Sequence, residues 1–468
     1  MIKFIVNNWL TACFVLLSIF VMSGNNFGQT SCEAVPNEIL IDLVNQANLP
    51  AVAAQYGLNP TPLGTVGVPP TYRMQITNGQ TGCQVAAAMQ GDTRIFQKES
   101  NRKVKLVEKS GLDWTQGNSW AIGNSWAIGG SAKGFNRQWF PSLINLPQAH
   151  TVSTGQNIIV AVLDTGIDLS HPAFAGKLVP GYDFVDNDND PSEVGILRQN
   201  PVYGHGTHDA GIVLLTAPNV KIMPLRVLNA DGDGTLWRIK DAMIFAARNG
   251  ATILNMSFGY PQDFTPQSNT FLHDLFQGCD SLNIPGQQQF PELDNRIMLV
   301  VTAAGNGGLI ANGANRIYPG AERGTTIADP NGIDDNLLNV GVSTRYDELA
   351  LFSTMAHVTN NDDRWVRTVA PGENIVSTLP GGRYGVWSGT SMAAPVVSGV
   401  AALVLSIRPV NLPNRIMENV VNEIEETGYE WECTVPSRNI FMKTARIDAF
   451  RAVVNNQSNT PTQPACLP

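Results

Sequence analysis

Charge is scarce in this chain. Only 15% of its 468 residues are Asp, Glu, Lys or Arg, against roughly a quarter in an ordinary soluble protein. What charge there is leans acidic, with Lys+Arg 30 against Asp+Glu 39 and a formal net charge of -9. Nucleic-acid binding needs a cationic footprint to neutralise phosphate, so that class of partner is excluded. Cysteine is also rare, six in all. None has the CxxC spacing of a metal site, so zinc is not suggested. Beyond the first two dozen residues no apolar run is long enough to cross a bilayer. In contrast, hydrophobic residues reach 43% and glycine is abundant at 43. A large buried core joined by many loops follows, and the length predicts two or three units.

The N-terminus has a purpose of its own. Lys3 precedes the apolar run from Leu10 to Met22, followed by small and polar residues. A short run with a basic start reads as a secretory signal, here 1–29, and the mature protein is expected outside the cell and off the membrane. Removal of Cys13 with that signal leaves five cysteines for an oxidising compartment. Cys32 with Cys83 and Cys433 with Cys466 are pairings that each stay within one segment, which leaves Cys279 odd. Residues 30–111 alternate strand-like stretches (38–43, 72–76 and 102–107) with helix-like ones (49–56 and 83–89), a small α+β unit. Residues 112–140 follow as a linker. They contain the tandem repeat Gly117-Asn118-Ser119-Trp120-Ala121-Ile122 and Gly123-Asn124-Ser125-Trp126-Ala127-Ile128. Two copies are too few for a solenoid, and an exposed linker is where a protease cuts.

Residues 141–454 change texture. Ile158-Ile159-Val160-Ala161-Val162-Leu163 is a continuous apolar run, the mark of a strand buried on both faces. Similar runs occur at 221–228, 252–256, 297–302 and 338–342. Between two of them, Leu236, Ile239, Met243 and Ala246 or Ala247 line one helical face, with Gly250 as the stop. Strands alternating with helices predict an α/β domain of three layers, a mainly parallel sheet flanked by helices. The tail 455–468 is rich in Asn, Gln, Thr and Pro and reads as irregular.

Three residues stand at strand ends or helix starts. Asp164 follows the first buried run, His205 lies in Gly204-His205-Gly206-Thr207-His208, and Ser391 lies in Gly389-Thr390-Ser391-Met392-Ala393-Ala394-Pro395. Loops at the carboxyl ends of parallel strands converge on one crevice, so the three can meet. A serine hydroxyl is a poor nucleophile without an adjacent base, imidazole can take and return its proton, and a buried carboxylate fixes the imidazole tautomer. Each residue alone has an ordinary reading, as strand-end cap, core histidine or helix cap. The three together in these blocks do not.

These blocks resemble those of the subtilisin-like serine peptidases, over about 138–454 and in the same order. The resemblance implies a serine endopeptidase that works through an acyl-enzyme, with Ser391 as nucleophile, His205 as base and Asp164 as its orienting carboxylate. Ala303-Ala304-Gly305-Asn306 resembles the oxyanion segment, which makes Asn306 the side-chain donor. Asn255-Met256-Ser257-Phe258-Gly259 resembles the segment that pairs with substrate as an added strand. Ser257, Phe258, Gly259 and Gly305 are accordingly the substrate-binding candidates. Segment 30–111 resembles the family's inhibitory propeptide, a folding aid and intramolecular inhibitor removed by self-cleavage within 112–140.

No cofactor is required for that chemistry, and a monomer acting on protein or peptide substrates is expected. The acidic loop around Asp183, Asp188 and Asp190 resembles one that binds structural calcium in some thermostable members. Two positions depart from the pattern: Asp209 stands where Val or Ala is usual, and Val396 where His is usual. A charge at Asp209 would favour the protonated base if it lies close to it. His208 is read as structural. The rival class is a catalytically dead relative kept for binding, which would have lost a triad residue or the oxyanion donor.

Overall fold

The computed structural model describes residues 33–68, 70–106, 127–128, 131–197, 199–261, 298–308, 317–318, 336–355, 366, 368–408, 416–435 and 440–455. The expected signal, most of the repeat, the tail beyond 455, and Cys13, Cys32, Cys279 and Cys466 lie outside them. Cys83 is disulfide-bonded, and its expected partner Cys32 is among the residues not described.

The N-terminal unit is built on the antiparallel strands β1 (Ala34–Leu43), β2 (Gly64–Val66), β3 (Thr71–Gln75) and β4 (Ile95–Leu106). Helices α1 (Leu49–Tyr56) and α2 (Gly82–Ala88) cover one face. Alternation in β1 explains the packing, since successive side chains leave opposite faces of a strand. Ile39, Ile41 and Leu43 bury against Val52, Val85 and Met89, whereas Leu40 faces the other way and joins the core of the larger domain with Trp237. Helix α2 starts at a capping box, with the Gln84 N–H donating to Thr81 Oγ1 and the Thr81 N–H to Gln84 Oε1.

In the larger domain, β5 (Ala127–Ile128), β6 (Ile159–Asp164), β7 (Tyr182–Asp183), β8 (Lys221–Arg226) and β9 (Asp233–Thr235) are followed by β10 (Ile253–Met256), β11 (Phe258–Pro261), β12 (Leu299–Ala303), β13 (Ile317–Tyr318) and β14 (Leu337–Ser343). The last strands are β15 (Thr368–Pro371), β16 (Ile375–Leu379), β17 (Arg383–Trp387), β18 (Tyr429–Val435) and β19 (Ile440–Arg446). Nine form one sheet in the order β18-β19-β15-β14-β12-β10-β6-β8-β7. Every neighbouring pair is parallel except β18–β19. Each residue of β10, β12 and β14 is buried, as the continuous apolar runs require. Helices α3 (His205–Thr216) and α5 (Thr390–Leu405) share the core on one face of the sheet, while α4 (Leu236–Arg248) packs into the core on the other.

After β6 the chain runs first to β7 and β8 on one side, then to β10 on the other. Such a reversal opens a crevice at the carboxyl ends of the strands, and Asp164 ends β6 in it.

The sequence pattern predicts a third strand of the N-terminal unit at 102–107. Strand β4 is longer, and it belongs to both units. Its first half pairs with β1. Its last residues enter the larger domain between β9, with Val104 opposite Gly234, and β11, with Leu106 opposite Phe258.

Candidate active site

The three residues stand on three elements, and two of them, Asp164 and His205, are in direct contact. His205 is the first residue of α3, which follows Gly204 at φ 93. Its Nδ1 lies 2.9 Å from each carboxylate oxygen of Asp164, and both side chains are only 1% exposed. The carboxylate is fixed in turn by the Thr165 N–H, which donates to Oδ1 at 2.7 Å. Close approach of α3 to β6 depends on Gly206. A Cβ there would lie 2.3 Å from the Gly166 carbonyl oxygen and 2.9 Å from Asp164 Cβ.

Ser391 is the second residue of α5, and it is fully buried. Pro395 four residues later has no N–H to give to the Ser391 carbonyl, which would leave an orphan acceptor. Ser257 Oγ donates to that carbonyl at 3.2 Å, and Ser391 Oγ donates to the Ser257 carbonyl at 3.1 Å. The two segments are thereby pinned to each other.

Asn306 sits beside them. Its Oδ1 accepts from the Thr390 N–H at 2.9 Å and from Thr390 Oγ1 at 3.0 Å, and Thr390 Oγ1 accepts from the Gly305 N–H at 3.1 Å. Anchoring the carbonyl end orients the amide NH2 group as a donor. Of the other candidates, Phe258 and Gly259 pair with Leu106 and Lys105 as adjacent strands, the arrangement expected for an extended chain in the cleft.

Several neighbours carried no sequence signal. The Trp387 ring stacks on His208 (centroids 5.0 Å, 29°) and lies 5.3 Å from the His205 ring. Burial, and the nearby His205, push His208 down to about 3, which keeps it neutral. Glu193 accepts from Thr207 Oγ1 at 3.0 Å, and burial pushes its carboxyl up to about 7. Thr390 could have been found only as the residue before the serine.

In the acidic loop, Asp183, Asp188 and Asp190 accept hydrogen bonds from the protein itself. Asp183 Oδ2 and Asp186 Oδ2 each take the Arg226 guanidinium at 2.5 Å, while Asp183 Oδ1 accepts the N–H groups of Val185 and Asp186. Asp188 and Asp190 turn their oxygens to the N–H groups two residues on. The single group of three potential ligands within 4.8 Å among the described residues is instead Asp164, His205 and Asp209. Arg226 supplies positive charge to the Asp183 and Asp186 side of the acidic loop.

A parallel sheet with Asp and His at its switch point, and Ser opening a buried helix, defines a serine hydrolase of the α/β class. The subtilase family model matches residues 155–449, and the chain belongs to that family. It is 36% identical over 312 residues to a thermophilic serine proteinase of Bacillus sp. (strain AK1), 64% of this chain and 62% of that protein. It is 31% identical over 330 residues to thermitase of Thermoactinomyces vulgaris, 68% of this chain and 96% of that protein. Among solved structures, fervidolysin from Fervidobacterium pennivorans shares the fold, with a TM-score of 0.64 and 20% identity over 92% of this chain and 63% of its own.

Proposed function

We propose that the chain is an exported serine endopeptidase made as a precursor whose N-terminal unit inhibits it. The observation that carries this reading is strand β4, since residues 103–106 occupy the cleft as an added strand between β9 and β11. That position is where a protein or peptide substrate would lie extended, with Ser257, Phe258 and Gly259 as one wall. Ser391 Oγ attacks the scissile carbonyl after turning from the Ser257 carbonyl to His205 Nε2, which takes the proton and returns it to the leaving amine. Asp164 holds Nδ1–H and so fixes the tautomer. Asn306 and the Ser391 N–H at the start of α5 stabilise the oxyanion. Water then releases the acyl group by the same route.

The strand runs toward Ser391 as it passes Phe258. Self-cleavage therefore falls downstream of Leu106, within the linker 112–140. Export is supported by Lys3 and the apolar run behind it. A dead relative kept for binding is disfavoured, because Asp164, His205, Ser391 and Asn306 are all retained in the sequence.

The test is labelling with a serine-directed phosphonylating probe and peptide mapping. Label on Ser391 that His205→Ala abolishes is the expected result. A labelled protein with no modified Ser391 would sink the assignment. Normal processing of the Ser391→Ala chain made with no other protease present would sink self-cleavage.

A further inference from the structure

Position 209, where the resemblance leads one to expect Val or Ala, faces the histidine. Asp209 follows His205 by four residues on α3, so the two share a helix face. It is fully buried. One of its oxygens, one of the Asp164 oxygens and one His205 ring nitrogen all lie within 4.8 Å of one another. Asp209 Oδ2 accepts from Asn255 Nδ2 at 3.3 Å, and the same amide nitrogen donates to Ser257 Oγ at 3.1 Å. Asn255 Oδ1 accepts from Ser398 Oγ at 2.9 Å. The carboxylate is thus held by β10, and β10 in turn is held by α5, the helix that carries Ser391.

We propose that Asp209 is a second carboxylate partner of His205, a positioning residue that stabilises the imidazolium jointly with Asp164. The proposal rests on the triad reading above. During acylation the Ser391 proton moves to Nε2. The imidazolium then lies against two buried carboxylates, Asp164 through Nδ1–H and Asp209 through charge. The proton leaves from Nε2 with the amine, and Asp209 exchanges none. A carboxylate about 4–6 Å from a titrating base favours its charged form by about one to three pH units. The consequence for the enzyme is a free base only at higher pH, so the acid limb of activity is displaced upward.

The groups that face this pair are Asp164 on β6, Asn255 on β10, His208 on α3 itself and Trp387 on β17, with Glu193, from the loop ahead of α3, interacting with Asp164. His208 stays neutral across the working range. Glu193, with Asp164 among the charges acting on it, titrates near 7, so it must be separated from Asp209.

The experiment is kcat/KM against pH for the processed enzyme and for Asp209→Asn and Asp209→Val, each with and without Glu193→Gln. Val is a residue that the resemblance leads one to expect at this position, and Asn keeps a hydrogen-bond acceptor for Asn255. Thermal melts identify folded variants. The expected result is an acid limb lowered by about one pH unit or more in both Asp209 variants, whichever residue stands at 193. An acid limb that stays at the parent's pH in the folded variants overturns the proposal. Failure of the triad reading is a different outcome, since Ser391 of the parent would then take no phosphonyl label.

Discussion

Lys240 offers the sharpest test of how the N-terminal unit is held. It lies on α4 of the larger domain, 1% exposed, and its Nζ is 3.7 Å from Asp42 Oδ2 on β1 of the N-terminal unit, itself 2% exposed. Nζ also donates to Thr71 Oγ1. Burial raises the Asp42 carboxyl despite the neighbouring ammonium, so desolvation outweighs the attraction of Lys240. A pair of this kind adds little as a whole, yet removing one partner strands the other charge, at about 3–5 kcal/mol. Lys240→Met and Asp42→Leu should each weaken docking by that amount, a factor of about 150 or more at 1.36 kcal/mol per tenfold. The double substitution should return close to the parent. The assay is thermal and urea unfolding of the Ser391→Ala chain, in which the unit stays attached, followed by the same substitution at Lys240 in the processed enzyme. Asp42 and Thr71, the partners of Lys240, leave with the unit, so the processed form should be unaffected. Single substitutions costing under about 1 kcal/mol, or a double variant as weak as the sum of the singles, would refute the reasoning.

Other outcomes follow from the same geometry. Asn306→Ala should lower kcat by about 10²–10³, the loss known for the corresponding donor in subtilisin itself, with KM little changed. Thr390→Val removes the hydroxyl that anchors Asn306 Oδ1 and should lower kcat by about tenfold, a smaller loss because the Thr390 N–H still holds that oxygen. His208 has a depressed folded value, about 3 against the ordinary 6.5. Its contribution to stability is therefore complete above pH 6.5 and lost as pH falls toward 3. Urea midpoints of His208→Gln should fall less steeply than the parent's over that window, and parallel curves would contradict the neutral, stacked ring.

The parts of the structure that could be read in the sequence share a physical cause. Strands β6, β10, β12 and β14 are buried on both faces, so solvent leaves no polar alternation and the runs stand out as apolar. The catalytic blocks were legible because close packing dictates neighbours as well as the reacting residue; Gly206 must be glycine for His205 to reach Asp164. Strand β4 was read short for the opposite reason. Its middle, Gln97 to Lys103, is almost wholly polar, and a polar stretch reads as a loop unless its partners are known. Those partners come from elsewhere in the chain: Asn101 donates to Glu38 Oε2 at 2.6 Å, and its Oδ1 accepts the Trp237 N–H at 3.1 Å.

The acidic loop hides a partner in the same way, because Arg226, the cation that Asp183 and Asp186 pair with, lies 40 residues or more downstream on β8. Trp387 and Glu193 reach the site only by folding. Apolar burial writes itself into local pattern, whereas a polar side chain is justified by whichever group satisfies it. Asp209 is the exception that was visible from both sides. A carboxylate in a helix face otherwise buried has no local justification, and the fold supplies one in His205 and Asn255. The same logic ranks the unexplained polar residues of this core: those whose partners are catalytic, like Asp209, should move the pH profile when replaced. Those whose partners belong to the N-terminal unit, like Lys240, should move only its release.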